Sequence, residues 1–375
     1  MSEREEKPPP VPVLRPRLPS SERLLPYLRR IDESRVYSNW GPLVGELESR
    51  LSERWGLSPE ATTSAGSGTA ALVGAILASA GRATSRSPLA LVPAFTFSAT
   101  AVAVELCGYQ PYLADVDRQS WMLDPEALAS HPALDRAGAV VPVAPFGRPV
   151  PQAPWLEFRE RTEVPVVIDG SASFDRVLEA PDSFLGEIPV VVSFHATKSF
   201  ATGEGGCVVS TDTGLIALVT QALNYGFRVR RENEVPSLNG KMSEYHAAVG
   251  LAELDDWAAK IRAFENVAAR YHARREELDV PGRLVTTPDV SACYVLLDCG
   301  DPSEAQRAER GLRGSAIDYR FWYGEGLHRQ PQFARSPSDD LSITEDLLPR
   351  LIGLPLAPDL DERVVARAVE ALATG

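Results

Sequence analysis

Between residues 62 and 206 the chain repeats one pattern: a short run of Val, Ile and Leu stops at a glycine, an acid or a lysine, and helix-like sequence often follows. The runs include "LALVPAF", "GAVVPVAPFG", "VPVVIDGS" and "VVVSFHATKSFATGEGG". Up to that stop they are apolar at nearly every position rather than at alternate ones. Such runs suit strands buried on both faces, as in a mainly parallel sheet covered by helices. This predicts the α/β class, and it directs attention to the corners, because ligands of such sheets collect beyond the carboxyl ends of the strands.

Around this block the texture changes. Residues 1–20, "MSEREEKPPPVPVLRPRLPS", read as a loose Pro-rich extension. The helical "SERLLPYLRRIDES" follows, then a turn at "YSNWGP" and the amphipathic "LVGELESRLSERWG", closed by Gly56. After about Glu253 come charged amphipathic helices, "AELDDWAAKIRAFENVAARYHARREEL". The expected organisation is a large α/β domain over residues 21–255 and a smaller α+β domain over 256–375. A length of 375 residues accommodates both.

Composition removes several function classes. With 38 basic and 51 acidic residues the net charge is −13, which lacks the positive footprint that phosphate backbones require, so no nucleic-acid partner is expected. Cys107, Cys207, Cys293 and Cys299 are scattered without a C-x-x-C, so neither a metal site nor a disulfide framework is expected, and a reducing cytoplasm is. No apolar run approaches the ~18 residues of a membrane span, and the N-terminus lacks the apolar core of a signal peptide.

Three corners carry candidate chemistry. In "AGSGTAALVGAIL", Gly66, Ser67, Gly68 and Thr69 lead directly into a helix. Glycines admit close approach of an anion, and free N–H groups at a helix start favour negative charge, so a phosphate fits. Gly66-x-Gly68-x-x-Ala71 also imitates a dinucleotide fingerprint, but the acid wanted about 20 positions on is missing; the next one is Glu105, inside an apolar run. A plain glycine-tolerant helix start stays open. In "VPVVIDGS", Asp169 follows four apolar residues and suits either a buried partner or a turn cap. In "VVVSFHATKSF", Lys198 follows a strand; shielded and near positive charge its amine becomes a nucleophile, and otherwise it snorkels to solvent.

Taken together, an anion cradle, an acid and an amine at strand ends are what pyridoxal 5'-phosphate requires: a lysine for the aldehyde, an acid for the pyridine nitrogen and a helix start for the phosphate. Phe95 in "PAFTFSAT" is the expected ring cover, and Ser193 adds a hydroxyl for the phosphate.

The order "SNWGPLVGELE", "GSGTAAL", "PAFTFSAT", "VVIDGSAS", "SFHATKSFATGEGG", "NGKMSEYHAAVGLAEL" and "GLHRQPQF" resembles the DegT/StrS family of sugar aminotransferases, which have the fold-type I architecture. The resemblance runs from about residue 20 to the C-terminus. It implies that Lys198 is the Schiff-base lysine, Asp169 the pyridine partner, Phe95 the stacking ring, and Gly68, Thr69 and Ser193 the phosphate contacts. It implies that Asn239 reaches the partner subunit's phosphate across a homodimer with shared active sites. Two positions depart from the family pattern: Ala172 stands where a Gln or His touches the cofactor's phenolic oxygen, and Lys241 where an Arg stands. The family's deoxygenating branch replaces the lysine by His, and Lys198 speaks against that branch; His195 is kept as an acid/base helper.

The implied reaction moves an amino group from an amino acid, L-glutamate by resemblance, to a nucleotide-linked keto sugar, giving an amino sugar for antibiotic decoration or surface polysaccharide. Tyr319, Arg320, Trp322 and His328 form the expected substrate cluster, with a packed edge of the small domain as the plainer reading. The glycines of "GEGG" leave room for Lys198 to swing, and Glu204 suits a backbone cap or a substrate neighbour. A cyclitol or other non-sugar acceptor, a pyridoxal-phosphate dehydratase and a regulator without turnover are the alternatives.

Overall fold

The computed structural model describes residues 10–374, so residues 1–9 of the expected extension lie outside the described residues. The apolar runs become β1 (Thr62–Ala65), β2 (Leu89–Pro93), β3 (Gln110–Ala114), β4 (Ala137–Val140), β5 (Ile168–Asp169), β6 (Val190–Ser193) and β7 (Gly206–Val209). They pair in the orders β3-β2-β4 and β1-β7-β6-β5. Bridges Val140–Val166 and Val143–Asp169 carry the pairing from β4 to β5, so the two sheets form one surface. Only β7 runs against its neighbours. The other strand pairs are parallel, as the apolar texture predicts.

β6 shows why the runs read as they do. Val190 and Val192 join the apolar core under the helices Pro42–Arg54 and Gln152–Thr162. Val191 joins the core under Gly68–Ala80 and Thr213–Leu223 on the opposite face. Each buried valine contributes roughly 1.5–3 kcal/mol, so neither face tolerates a polar residue and alternation disappears. Gly206 lets the sheet meet a helix closely: a Cβ there would lie 3.0 Å from the Gly68 backbone.

The second region contains β8 (Arg283–Val285), β9 (Leu296–Asp298) and β10 (Leu351–Gly353), antiparallel in the order β10-β9-β8. It packs with the helices Pro302–Gly314 and Glu362–Thr374. The boundary expected at 255 falls inside one helix, Glu244–Leu278. Ala247, Leu251 and Leu254 of that helix serve the large core, while Phe264, Val267 and Tyr271 serve the small one. Residues 11–14 of the expected loose extension are paired. Val11 N–H donates to the Ala316 carbonyl at 3.0 Å, Asp318 N–H donates to the Val11 carbonyl at 2.9 Å, and Val13 is buried. Pro-rich sequence hides such a strap, because the two valines between the prolines still carry free N–H groups. Among the described residues no helix is long and apolar enough to cross a membrane.

Candidate active site

The glycine corner follows β1. Gly66 N–H donates to the Gly240 carbonyl at 2.7 Å, and the Ser67 hydroxyl caps the next helix by accepting from Ala70 N–H at 3.1 Å. Gly68 begins that helix, and a Cβ on it would lie 2.8 Å from Ser193 Cβ and 2.9 Å from Ser193 Oγ. The end of β6 and the helix start therefore touch only because residue 68 has no side chain. Thr69 occupies the first turn, where backbone N–H groups lack partners within the helix. A hydroxyl, a threonine and a positive helix end thus share one corner.

Asp169 ends β5, the parallel neighbour of β6, and is 4% exposed. One carboxylate oxygen accepts from Thr100 Oγ1 at 2.7 Å; the other accepts from Ser171 N–H at 3.1 Å and from the Ser171 hydroxyl. Lys198 lies in the turn after β6, with its N–H on the His195 carbonyl at 2.9 Å. Its half-buried amine donates to the Tyr294 hydroxyl at 3.4 Å. Burial pushes the ammonium pKa down, against the opposing pull of Cys293 and Asp169. The shielding expected from sequence is the cause, and the neighbouring charges that act on the amine are acidic rather than the expected cation.

A buried acid that sequence reasoning missed ties this turn to the small region. Asp175 accepts from Ser199 Oγ at 2.7 Å, from Ser291 Oγ at 2.6 Å and from Ala292 N–H at 2.8 Å. Burial raises its carboxyl pKa while those donors oppose the rise. One side chain thus joins the residue after Lys198 to the segment that carries Cys293 and Tyr294.

Phe95 does not offer a face to a ligand. It is 1% exposed, with Trp121, Phe146 and Tyr323 around it at centroid distances of 6.3, 6.1 and 4.9 Å. Phe97, two residues on, is 63% exposed and immediately precedes the helix Ser98–Leu106 that supplies Thr100 to Asp169. Ala172 is buried in the same cluster as Phe95.

His195 is exposed, its Nδ1 2.8 Å from Thr197 Oγ1 and its Nε2 3.7 Å from a Glu204 carboxylate oxygen. Asn239 is exposed beside the glycine corner and accepts from Lys241 Nζ at 2.7 Å; that amine also lies 4.2 Å from the Tyr225 ring centroid. The expected substrate cluster is dispersed. Tyr319 bonds Glu309 and Arg313 at the edge of the small core. Arg320 is exposed, its guanidinium 5.6 Å from the Trp322 ring, and Trp322 meets Tyr294 edge-on at 5.3 Å. His328 Nε2 lies 3.3 Å from Glu345. Trp322, through Tyr294, is the member of the four linked to Lys198.

Residues 20–373 match the DegT/DnrJ/EryC1/StrS aminotransferase family. Protein Rv3402c of Mycobacterium tuberculosis (strain ATCC 25618 / H37Rv) is 31% identical over 382 residues, covering 98% of this chain and 91% of the relative. The dTDP-4-amino-4,6-dideoxy-D-glucose transaminase of Shigella dysenteriae is 29% identical over 281 residues, covering 74% and 73%. The crystal structure of DesI in the presence of its TDP-sugar product superposes with a TM-score of 0.83 at 28% identity, covering 98% of this chain and 93% of that one.

Proposed function

The chain belongs to the DegT/DnrJ/EryC1/StrS aminotransferase family and is a pyridoxal-phosphate-dependent aminotransferase of fold type I, and we propose that it moves the amino group of L-glutamate to a nucleotide-linked keto sugar. The observation that carries this reading is the junction of β5, β6 and the glycine corner. It puts a buried carboxylate, a desolvated amine and a helix start that excludes any Cβ on neighbouring strand ends. The sugar class is supported by relatives that act on nucleotide-linked sugars and by the likeness to DesI with its TDP-sugar product.

The residues fit the cofactor. Lys198 would hold its aldehyde carbon and Asp169 its pyridine nitrogen, while Ser193, Thr69 and the N–H groups beginning at Gly68 would take its phosphate. Phe97 replaces Phe95 as the ring cover, because its face is free. When bound, pyridoxal phosphate withdraws electrons from the donor's α-carbon. Lys198, its ammonium pKa lowered by burial, accepts and returns the proton at that carbon. Thr100 and Ser171 orient the Asp169 carboxylate through separate oxygens. His195 and Glu204, exposed at the mouth, face the entering substrate, as do Lys241 and Arg320.

The working unit in this reading is a homodimer with shared sites, to which Asn239 contributes from an exposed position. Apolar side chains left in solvent, Val229 at 93% exposure together with Tyr37 and Tyr245, support a covering partner. The cytoplasm suits four cysteines that are all unpaired. The amino sugar would serve antibiotic decoration or a surface polysaccharide.

The test is the visible spectrum of the protein loaded with pyridoxal phosphate. L-Glutamate should discharge the yellow colour, and one member of a panel of nucleotide-linked keto sugars should restore it with formation of an amino sugar. Restoration by non-sugar ketones alone would remove the sugar assignment.

A further inference from the structure

Tyr294 enters the site from the small region, two residues before β9. Its ring is fixed by Phe146 at 5.6 Å and Trp322 at 5.3 Å, both edge-on. Its hydroxyl accepts from Lys198 Nζ at 3.4 Å, yet among the described residues the hydroxyl's own proton has no acceptor. Buried O–H groups seldom go without one. The position of this hydroxyl is not accidental. Asp175 grips Ser291 and Ala292 on one side and Ser199 on the other, so the segment carrying Tyr294 and the turn carrying Lys198 are anchored to the same carboxylate.

In pyridoxal phosphate the phenolic oxygen is ortho to the aldehyde, so it lies beside whatever nitrogen is joined to that aldehyde. A donor within reach of Lys198 Nζ would therefore be placed to reach this oxygen as well. Ala172, in the same cluster, offers only a methyl group. We propose that Tyr294 is a cofactor-facing residue whose hydroxyl donates a hydrogen bond to the phenolic oxygen of pyridoxal phosphate and thereby sets the pH at which the Lys198 link gains its proton. Burial favours the neutral phenol, which keeps it a donor across the working pH range. The inference rests on the cofactor assignment above.

A donated hydrogen bond stabilises the phenolate and draws electron density away from the adjacent nitrogen, lowering its proton affinity. The loaded protein and its Tyr294→Phe variant should each be titrated by visible absorbance. The variant's midpoint should rise by about one pH unit, a tenfold change in proton affinity, as expected for one hydrogen bond to a charged group. A ring-fluorinated tyrosine placed at position 294 keeps the packing and is a stronger donor, so it should move the midpoint down; it also serves if the phenylalanine variant does not fold. A purely structural Tyr294 would lower the melting temperature on truncation without moving either midpoint. A shift below about 0.2 pH units in both variants overturns the proposal. Failure of the parent protein to colour, with no cofactor trapped on Lys198 by borohydride, overturns the cofactor assignment and this inference with it.

Discussion

The floor of the site and its rim are built differently. The floor consists of buried or half-buried groups whose neighbours hold them: Asp169 by Thr100 and Ser171, Lys198 by its own turn and Tyr294, Gly68 by Ser193. On the rim stand His195, Asn239 and Arg320, all exposed, and Tyr319, whose polar partners belong to its own edge of the small region. The contrast follows from function. The reaction chemistry belongs to the cofactor and needs one fixed geometry, whereas the choice of sugar needs surfaces that change from one relative to another, and loops tolerate such change. Substitutions in the floor should therefore act on turnover or on the fold, and substitutions of the exposed rim residues chiefly on acceptor binding.

The sharpest break would come from Lys198→Ala. With no amine to carry the proton, turnover should fall by about three orders of magnitude or more. Borohydride should then trap no cofactor on the chain, while the melting temperature stays close to that of the parent. Normal turnover in this variant would dissolve the distinction between floor and rim, because the amine at its centre would be a spectator.

A second effect lies beneath the floor. Glu48, in the helix Pro42–Arg54, accepts from Ser64 N–H at 2.6 Å, from Ser64 Oγ at 2.7 Å and from Trp40 Nε1 at 3.1 Å, just before the glycine corner. Burial pushes its carboxyl from the ordinary 4.5 up to about 7, with those donors opposing. The folded pKa exceeds the unfolded one, so the contribution to stability is complete below pH 4.5 and is lost as pH rises through about 7. The loss is on the order of 3 kcal/mol. Urea unfolding between about pH 5 and about pH 8 should show stability falling with pH in the parent, and a flatter curve in Glu48→Gln, which keeps an acceptor for Ser64 but cannot ionise. Parallel curves would mean that Glu48 is solvated.

What could be read in advance follows the same divide. Asp169, Lys198 and the corner at 66–69 announce themselves because strand and ligand-facing residue are adjacent in the chain, so a local pattern carries the whole signal. Asp175 and Tyr294 do not, since a buried acid in a short helix gains its meaning only from Ala292, 117 residues away. Phe95 and Phe97 are two apart, and alternation along a strand would put both on one side. The strand ends at Pro93 and the chain bends over 94–96, so one ring turns into the core and the other outward. The Pro-rich start failed for a related reason: composition predicts looseness, while Val11 and Val13 bind by two N–H groups that composition does not count.

The smallest effect is expected at Tyr319, and it separates the two regions most finely. Its hydroxyl accepts from Arg313 Nε at 2.6 Å and donates to Glu309, while its ring packs on the small core beside Phe321 at 6.2 Å. Tyr319→Phe removes the hydroxyl but keeps the ring and its burial. The Arg313–Glu309 pair remains at 3.2 Å, partly in solvent, where such pairs are worth about 0–1 kcal/mol. Stability should therefore fall by less than about 1 kcal/mol, and the KM for the proposed nucleotide-linked acceptor should not move. A several-fold rise in that KM with kcat unchanged would mean that the hydroxyl leaves Glu309 to meet the sugar, and would transfer Tyr319 from the packed edge to the binding surface.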